Sequence, residues 1–317
     1  MKKKILRSVL FLTGLVILIT VFSVILKPEK DVYNSVGVDR KAEEIDNEND
    51  NSLDVVFLGD SESYSAFDPL MMYDNYGFTS YVCGTSLQKL CDTYAILENM
   101  YKSQQPKAVV IETNCMFRPA SPYGETDDKT MNMFSKAIPL MRYHDRWKTL
   151  IPMEEKQKGD DEKHKGFKYR DGVKPYTGGE WMKATDICEP LTDCNMKYFE
   201  KIRALVEENG SKLILVSVPS PENWTYEKHN AMKKLADDKE IDFVDLNLYC
   251  DKLNINWNTD TRDQGNHLNY SGAVKVSEYI GKYLSEKEEL PDHRGDEDFK
   301  GWDELVSRER QNGKEEI

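Results

Sequence analysis

Five short runs, each about as long as one strand, constrain this chain more than any other feature. They are Val55-Val56-Phe57-Leu58, Ser80-Tyr81-Val82-Cys83, Ala108-Val109-Val110-Ile111, Leu213-Ile214-Leu215-Val216 and Phe243-Val244-Asp245-Leu246. A run apolar at nearly every position has both faces buried, which is the pattern of a parallel strand inside a layered fold. Gly59 and Gly84 close the first two. Leu87, Leu90, Cys91, Tyr94, Leu97 and Tyr101 then recur at helical spacing, with Thr85 or Ser86 as the cap and Pro106 as the break. A helix rich in Lys, Ala and Met separates the last two strands. The final helix carries Ala273, Val276, Ile280, Tyr283 and Leu284 on one face. Regular strand–helix–strand alternation implies right-handed crossovers and a mainly parallel sheet covered on both sides. In such an α/β sheet the site collects at the carboxyl ends of the strands.

The rest of the chain divides around that core. Ile5 to Leu26 is apolar over 22 residues with Arg7 as its only charge, long enough for a membrane span of roughly 20 residues. Lys2, Lys3 and Lys4 precede it, so the expected orientation is N-in and C-out, with the rest extracytoplasmic at the cell membrane. Val21-Phe22-Ser23-Val24-Ile25-Leu26 offers no small-x-small cleavage site, which favours an uncleaved anchor over a signal peptide. The expected organisation is a cytoplasmic tip and anchor over residues 1–27, then an acidic stalk over 28–52. The α/β domain over 53–285 follows, with a partly helical insertion at 118–190 lying over the site. A charged tail, peripheral or disordered, occupies 286–317. The insertion holds the aromatic stretch Arg142 to Trp147, including His144, and a solvated charged run from Glu154 to Lys168.

The formal net charge is −13, and the first 27 residues carry five basic groups and no acid. The remainder is therefore more acidic still and repels phosphate backbones, which argues against nucleic acid as a partner. Cys83, Cys91 and Cys115 sit in apolar periodic segments and are expected to pack as small hydrophobes. Cys188 and Cys194 are close enough in sequence to bridge outside a cell, which sequence leaves open. No CxxC pair suggests zinc, and no cofactor is called for.

Gly59-Asp60-Ser61 follows directly after the first strand. A serine on the turn leaving a central strand is held at the sheet's carboxyl edge, where its hydroxyl can attack a carbonyl and its backbone N–H can face the resulting oxyanion. Gly84, closing the second strand, and the side-chain amide of Asn114, after the third, are candidate further donors. Just before the last helix comes Asp263-Gln264-Gly265-Asn266-His267-Leu268-Asn269. There His267 is the candidate general base, with Asp263 to orient its ring. His164, His229 and His293 read as surface or structural residues. Glu112 reads as a partner for Arg118 or a substrate contact.

Gly-Asp-Ser, then Gly, then Asn, then Asp and His before the final helix, resembles the SGNH (GDSL-type) hydrolase superfamily. Ser61, Gly84, Asn114 and His267 fall on its four name-giving positions, and the resemblance covers about residues 53 to 285. It implies a flavodoxin-like three-layer α/β/α sandwich and acyl-ester chemistry without metal. Two positions depart from the family pattern. Asp263 stands four residues before His267 rather than three, leaving Asp260 as a second candidate. The third block is Glu112-Thr113-Asn114-Cys115 rather than Gly-x-Asn-Asp. That variant resembles membrane-anchored members such as the teichoic-acid D-alanylation protein and polysaccharide O-acetyltransferases.

The resulting expectation is an extracytoplasmic serine esterase or O-acyltransferase. Its expected partners are an acylated cell-surface glycan or glycolipid and, for transfer, a multi-span membrane acyltransferase. The competing expectation is a non-catalytic module of the same fold that binds a cell-wall polymer or such an acyltransferase.

Overall fold

The computed structural model describes residues 2–26, 44–118, 138, 140 and 164–315. Most of the expected 118–190 insertion, His144 included, and the first part of the expected stalk lie outside these residues. Lys2–Leu26 forms one helix, α1, long and apolar enough to cross a membrane.

The strands are β1 (Val55–Gly59), β2 (Ser80–Gly84), β3 (Ala108–Glu112), β4 (Lys212–Ser217) and β5 (Asp242–Asp245). All pair in parallel, in the order β2-β1-β3-β4-β5. This is the flavodoxin-like order, and it reverses direction between β1 and β3. Side chains alternate between the faces. Val56, Leu58, Val109, Ile111, Leu213 and Leu215 face one apolar layer, and Val55, Phe57, Val110, Ile214 and Val216 the other.

The first layer is completed by α4 (Leu90–Met100), α5 (Asp193–Glu208) and α6 (Tyr226–Lys239). The second is completed by α2 (Ser63–Ala66) and by α7 (Tyr270–Lys287), through Val276, Ile280 and Leu284. Between them α3 (Pro69–Tyr76) sends Leu70 and Tyr73 to the first layer and Met72 to the second. Each such fully buried large side chain contributes about 1.5–3 kcal/mol.

Three expectations are corrected. The helix after β2 starts at Leu90, not at a Thr85 or Ser86 cap. The Gln88 N–H closes a turn onto the Thr85 carbonyl, Leu87 is exposed with a left-handed φ of 58°, and Asp92 accepts the Lys89 N–H at 3.1 Å. Residues 44–52, assigned to the stalk, are already seated on the domain. Ile45 is buried, Asp46 accepts from Asn99 Nδ2, and the Gln104 side-chain Oε1 accepts the Ser52 N–H.

Of the expected peripheral or disordered tail, residues 288–315 are folded onto the domain. They end in α8 (Lys300–Glu315), whose Trp302 and Val306 are buried and whose Trp302 ring lies 5.2 Å from Tyr73 on α3. The apolar residues Trp302, Leu305 and Val306 have helical spacing but are diluted by charge, and this hides the stripe in the sequence. Cys83 and Cys115 are buried, and burial pushes both thiols well up. Cys188 is a free, exposed thiol, so no bridge to Cys194 forms.

Candidate active site

Because the connection from β1 runs to β2 and that to β3 crosses back, a crevice opens between the carboxyl ends of β1 and β3. Gly59 of β1 pairs with Gly84 of β2, and Leu58 with Ile111 of β3, so the three strands end nearly level. The chain then turns through Asp60. Its side chain is fully buried, and its Oδ1 accepts the Glu62 N–H at 3.0 Å while its carbonyl accepts the Ser63 hydroxyl at 2.8 Å. This clamp leaves Ser61, the residue between, half-buried at the rim.

The facing wall is the loop before α7. His267 Nε2 lies 2.7 Å from Ser61 Oγ, and His267 Nδ1 lies 2.7 Å from Asp263 Oδ2. The other Asp263 oxygen accepts the His267 backbone N–H at 2.6 Å, so one carboxylate holds both ring and main chain of the histidine. The four-residue spacing works because Gln264 and Gly265 both adopt left-handed backbone, φ 64° and 89°, which curls Asp263 back under the ring. Burial alone would raise the Asp263 pKa, but the hydrogen bonds and charge of His267 outweigh it and hold the carboxyl below its ordinary value. Arg262, with Nε 3.8 Å from Asp263 Oδ2, acts in that direction too.

Asp260, the other candidate, is turned away. Its fully buried carboxylate accepts from the Asn256 N–H, Ser271 Oγ and Lys275 Nζ, and so ties the loop to the first turns of α7.

Gly84 faces the Ser61 turn, where a Cβ would collide with Ser63 Oγ and lie 3.2 Å from the Tyr64 ring. Any larger residue would displace the serine turn. Asn114 is buried beyond β3 and donates through Nδ2 to Asp60 Oδ2 at 2.9 Å. Ser61, Gly84, Asn114, Asp263 and His267 thus meet at one edge of the sheet.

Several neighbours escaped the sequence reading. Arg118 pairs at 2.5 Å with Asp60, not with Glu112. Glu112 is instead buried among acids, accepts the Asn114 N–H through Oε1, and has no hydrogen-bond partner at Oε2 among the described residues. Burial and then the charge of Asp60 push its pKa, and that of Glu62, well up. Glu62 accepts from Ser220 Oγ and Asn223 Nδ2, and Asn223 also donates to Asn266 Oδ1 at 2.6 Å. These contacts bridge the serine turn to the histidine loop. Lys228 of α6 reaches Asn114 Oδ1 at 3.3 Å. No local sequence pattern signals these partners, most of which come from turns and loops far apart in the chain.

Residues 167–179 line the histidine loop edge by backbone bonds. Lys168 N–H donates to the Tyr64 carbonyl, Tyr270 N–H to the Arg170 carbonyl, Lys174 N–H to the Thr261 carbonyl, and Tyr176 N–H to the Trp257 carbonyl. Tyr176 packs against Gly265, and the half-buried Trp257 ring meets Tyr176 at 6.3 Å and Trp181 at 5.9 Å. Among the described residues no group of His, Cys, Asp or Glu is arranged to hold a metal ion.

No protein-family model and no curated protein matches the sequence. Among solved structures the chain is similar to a GDSL-like lipase from Bacteroides thetaiotaomicron, with 17% identity, 78% of this chain and 96% of that one covered, and a TM-score of 0.37. It is also similar to an acetyl xylan esterase, with 17% identity, 73% and 98% covered, and a TM-score of 0.40. A lipase/acylhydrolase from Enterococcus faecalis matches with 13% identity, 76% and 98% covered, and a TM-score of 0.39.

Proposed function

We propose that this chain is a serine acyl-ester hydrolase of the SGNH type. The observation that carries the reading is the unbroken relay from Asp263 through His267 to Ser61, two 2.7 Å contacts in line at the crevice where the strand order reverses. Ser61 Oγ attacks the acyl carbon and its proton passes to His267 Nε2. Asp263 meanwhile holds the tautomer and balances the imidazolium charge. The Ser61 and Gly84 backbone N–H groups and the Asn114 amide hold the oxyanion. The alcohol leaves with the proton from His267, and a second nucleophile then releases the acyl group from Ser61.

That second nucleophile is water in an esterase and a sugar hydroxyl in an acyltransferase. We propose an acylated cell-surface glycan or glycolipid as the ester. Two features support it. The apolar α1 and the lysines at its start suit an N-in, C-out anchor that holds the domain beside an immobile polymer. The half-buried ring of Tyr176, against Gly265 in the histidine loop, and the Trp257 and Trp181 rings that continue from it offer apolar faces and edges. The non-catalytic alternative drew its support from the displaced aspartate, and a carboxylate bonded to both the ring and the backbone of His267 removes that support.

A fluorophosphonate probe tests the reading. The full chain in detergent is expected to be labelled on the peptide containing Ser61, with labelling abolished by Ser61→Ala. Labelling elsewhere, or none, would sink the esterase reading.

A further inference from the structure

The amide of Asn114 is gripped at both ends by groups that cannot exchange roles. Its Nδ2 donates to Asp60 Oδ2 at 2.9 Å, and its Oδ1 lies 3.3 Å from Lys228 Nζ. A carboxylate only accepts and an ammonium only donates, so just one of the two amide orientations satisfies both neighbours. A flipped amide would set its oxygen against the Asp60 carboxylate and its NH2 against the Lys228 ammonium.

Both grips are themselves fixed. Arg118 pairs with the Asp60 oxygen that Asn114 uses. Lys228 stands in the first turn of α6, where Thr225 Oγ1 accepts its backbone N–H. Its ammonium also donates to the Asn223 carbonyl at 2.7 Å and lies 5.2 Å from the centre of the Phe117 ring. Burial pulls the Lys228 pKa down while Glu189 and Glu112 oppose that pull. The polar chain Lys228–Asn114–Asp60–Arg118 therefore runs across the carboxyl ends of β3 and β1, directly behind the serine turn.

We infer that Lys228 is a positioning residue for the oxyanion hole. By holding Asn114 Oδ1 it sets the amide so that one Nδ2 hydrogen goes to Asp60 and the other points at the oxyanion formed on the group bound to Ser61. This inference rests on the esterase reading and adds to it a residue, on a helix well separated in sequence, that acts through another side chain.

The test is a double-mutant cycle on the full chain in detergent, read as the second-order rate of fluorophosphonate labelling. In that step Ser61 Oγ bonds to phosphorus, fluoride leaves, His267 takes the serine proton, and the phosphoryl oxygen occupies the oxyanion hole. Loss of one oxyanion donor in Asn114→Ala typically costs roughly 10²–10³. Lys228→Met is expected to cost about tenfold or more but less than Asn114→Ala, and Lys228→Arg, which keeps a cationic donor, to recover most of the rate.

In the Asn114→Ala background, Lys228→Met is expected to add nothing, because its effect passes through the missing amide. With p-nitrophenyl acetate the Lys228→Met loss should fall on kcat and leave KM unchanged. Should Lys228→Met not fold, the same cycle is run with Lys228→Gln. Losses that add in the double variant, or a wild-type rate for Lys228→Met, overturn the inference while leaving the esterase reading intact. An unlabelled wild type overturns both.

Discussion

Two histidine–aspartate pairs of equal length stand at the carboxyl edge of the same sheet. His267 Nδ1 is 2.7 Å from Asp263, and His229 Nδ1 is 2.7 Å from Asp245 at the end of β5. They differ in what surrounds each member. Among the described residues Asp263 gives its oxygens to His267 and to the edge of Arg262, and the far nitrogen of His267 meets a half-buried serine hydroxyl. Asp245 is shared with the Trp224 indole N–H and with Asn247, and the His229 ring is wedged between Tyr226 and Phe243. A short His–Asp contact is therefore not what makes a relay. The nucleophile placed at the second nitrogen is, and here its place follows from the reversal of strand order between β1 and β3.

The sharpest way to break this comparison is to remove each ring. His267→Ala is expected to lower kcat on p-nitrophenyl acetate by several orders of magnitude, on the order of the loss seen when a triad member is removed. His229→Ala should leave kcat within about twofold and lower Tm, since it strips a hydrogen bond from a buried carboxylate at a cost of about 1–3 kcal/mol. Comparable activity losses from the two would mean that the second pair belongs to the chemistry.

A smaller effect separates the two acids of the histidine loop. Asp263→Asn removes the charge opposite the imidazolium and should cost roughly 10²–10⁴ in kcat. Asp260→Asn should act on stability, read as a lower Tm, because Lys275 and Ser271 lose their buried partner. A larger kcat loss for Asp260→Asn would reverse the assignment.

The smallest effects concern pH. The Asp263 pKa is held below its ordinary value, so its contribution to stability is present above the unfolded carboxylate value of about 3.9 and is lost as pH falls through the folded value. Tm of the wild type should accordingly fall more steeply below about pH 4 than that of Asp263→Asn. Glu112 has the opposite sign. Its raised pKa gives a contribution that is complete below about pH 4.3 and disappears as pH rises through the folded value. Glu112→Gln keeps an acceptor for the Asn114 N–H and cannot ionise. Its Tm relative to wild type should therefore rise between pH 5 and pH 8, by an amount of about 1 °C or more measured by calorimetry. A difference that is flat with pH would show that Glu112 does not titrate with folding.

Much of the architecture was legible because a parallel strand buried on both faces writes itself as a short apolar run. All five runs became strands to within a residue, and the site candidates stand in the turns after β1 and β3 (Ser61, Asn114), at the end of β2 (Gly84) and in the loop before α7 (Asp263, His267). What was not legible shares one cause. The apolar residues of α8 are spread among charges, and Ile45 is a single apolar residue in an acidic stretch, so composition hides segments that packing recruits. In the sequence Glu112 reads as a partner for Arg118 or a substrate contact, whereas the fold pairs Arg118 with Asp60 across the crevice.

The sequence by itself determined the strands, their parallel layering, the apolar first helix and the serine turn, because each is set by periodicity and local backbone preference within a few residues. Tertiary structure alone decided which acid meets His267, which cation meets Asn114 and which carboxylates are buried without an ion partner. Ser61 and His267 are 206 residues apart in the chain, and contacts over that separation depend on strand order and loop curvature. Two left-handed residues at 264 and 265 were enough to bring Asp263 rather than Asp260 under the ring.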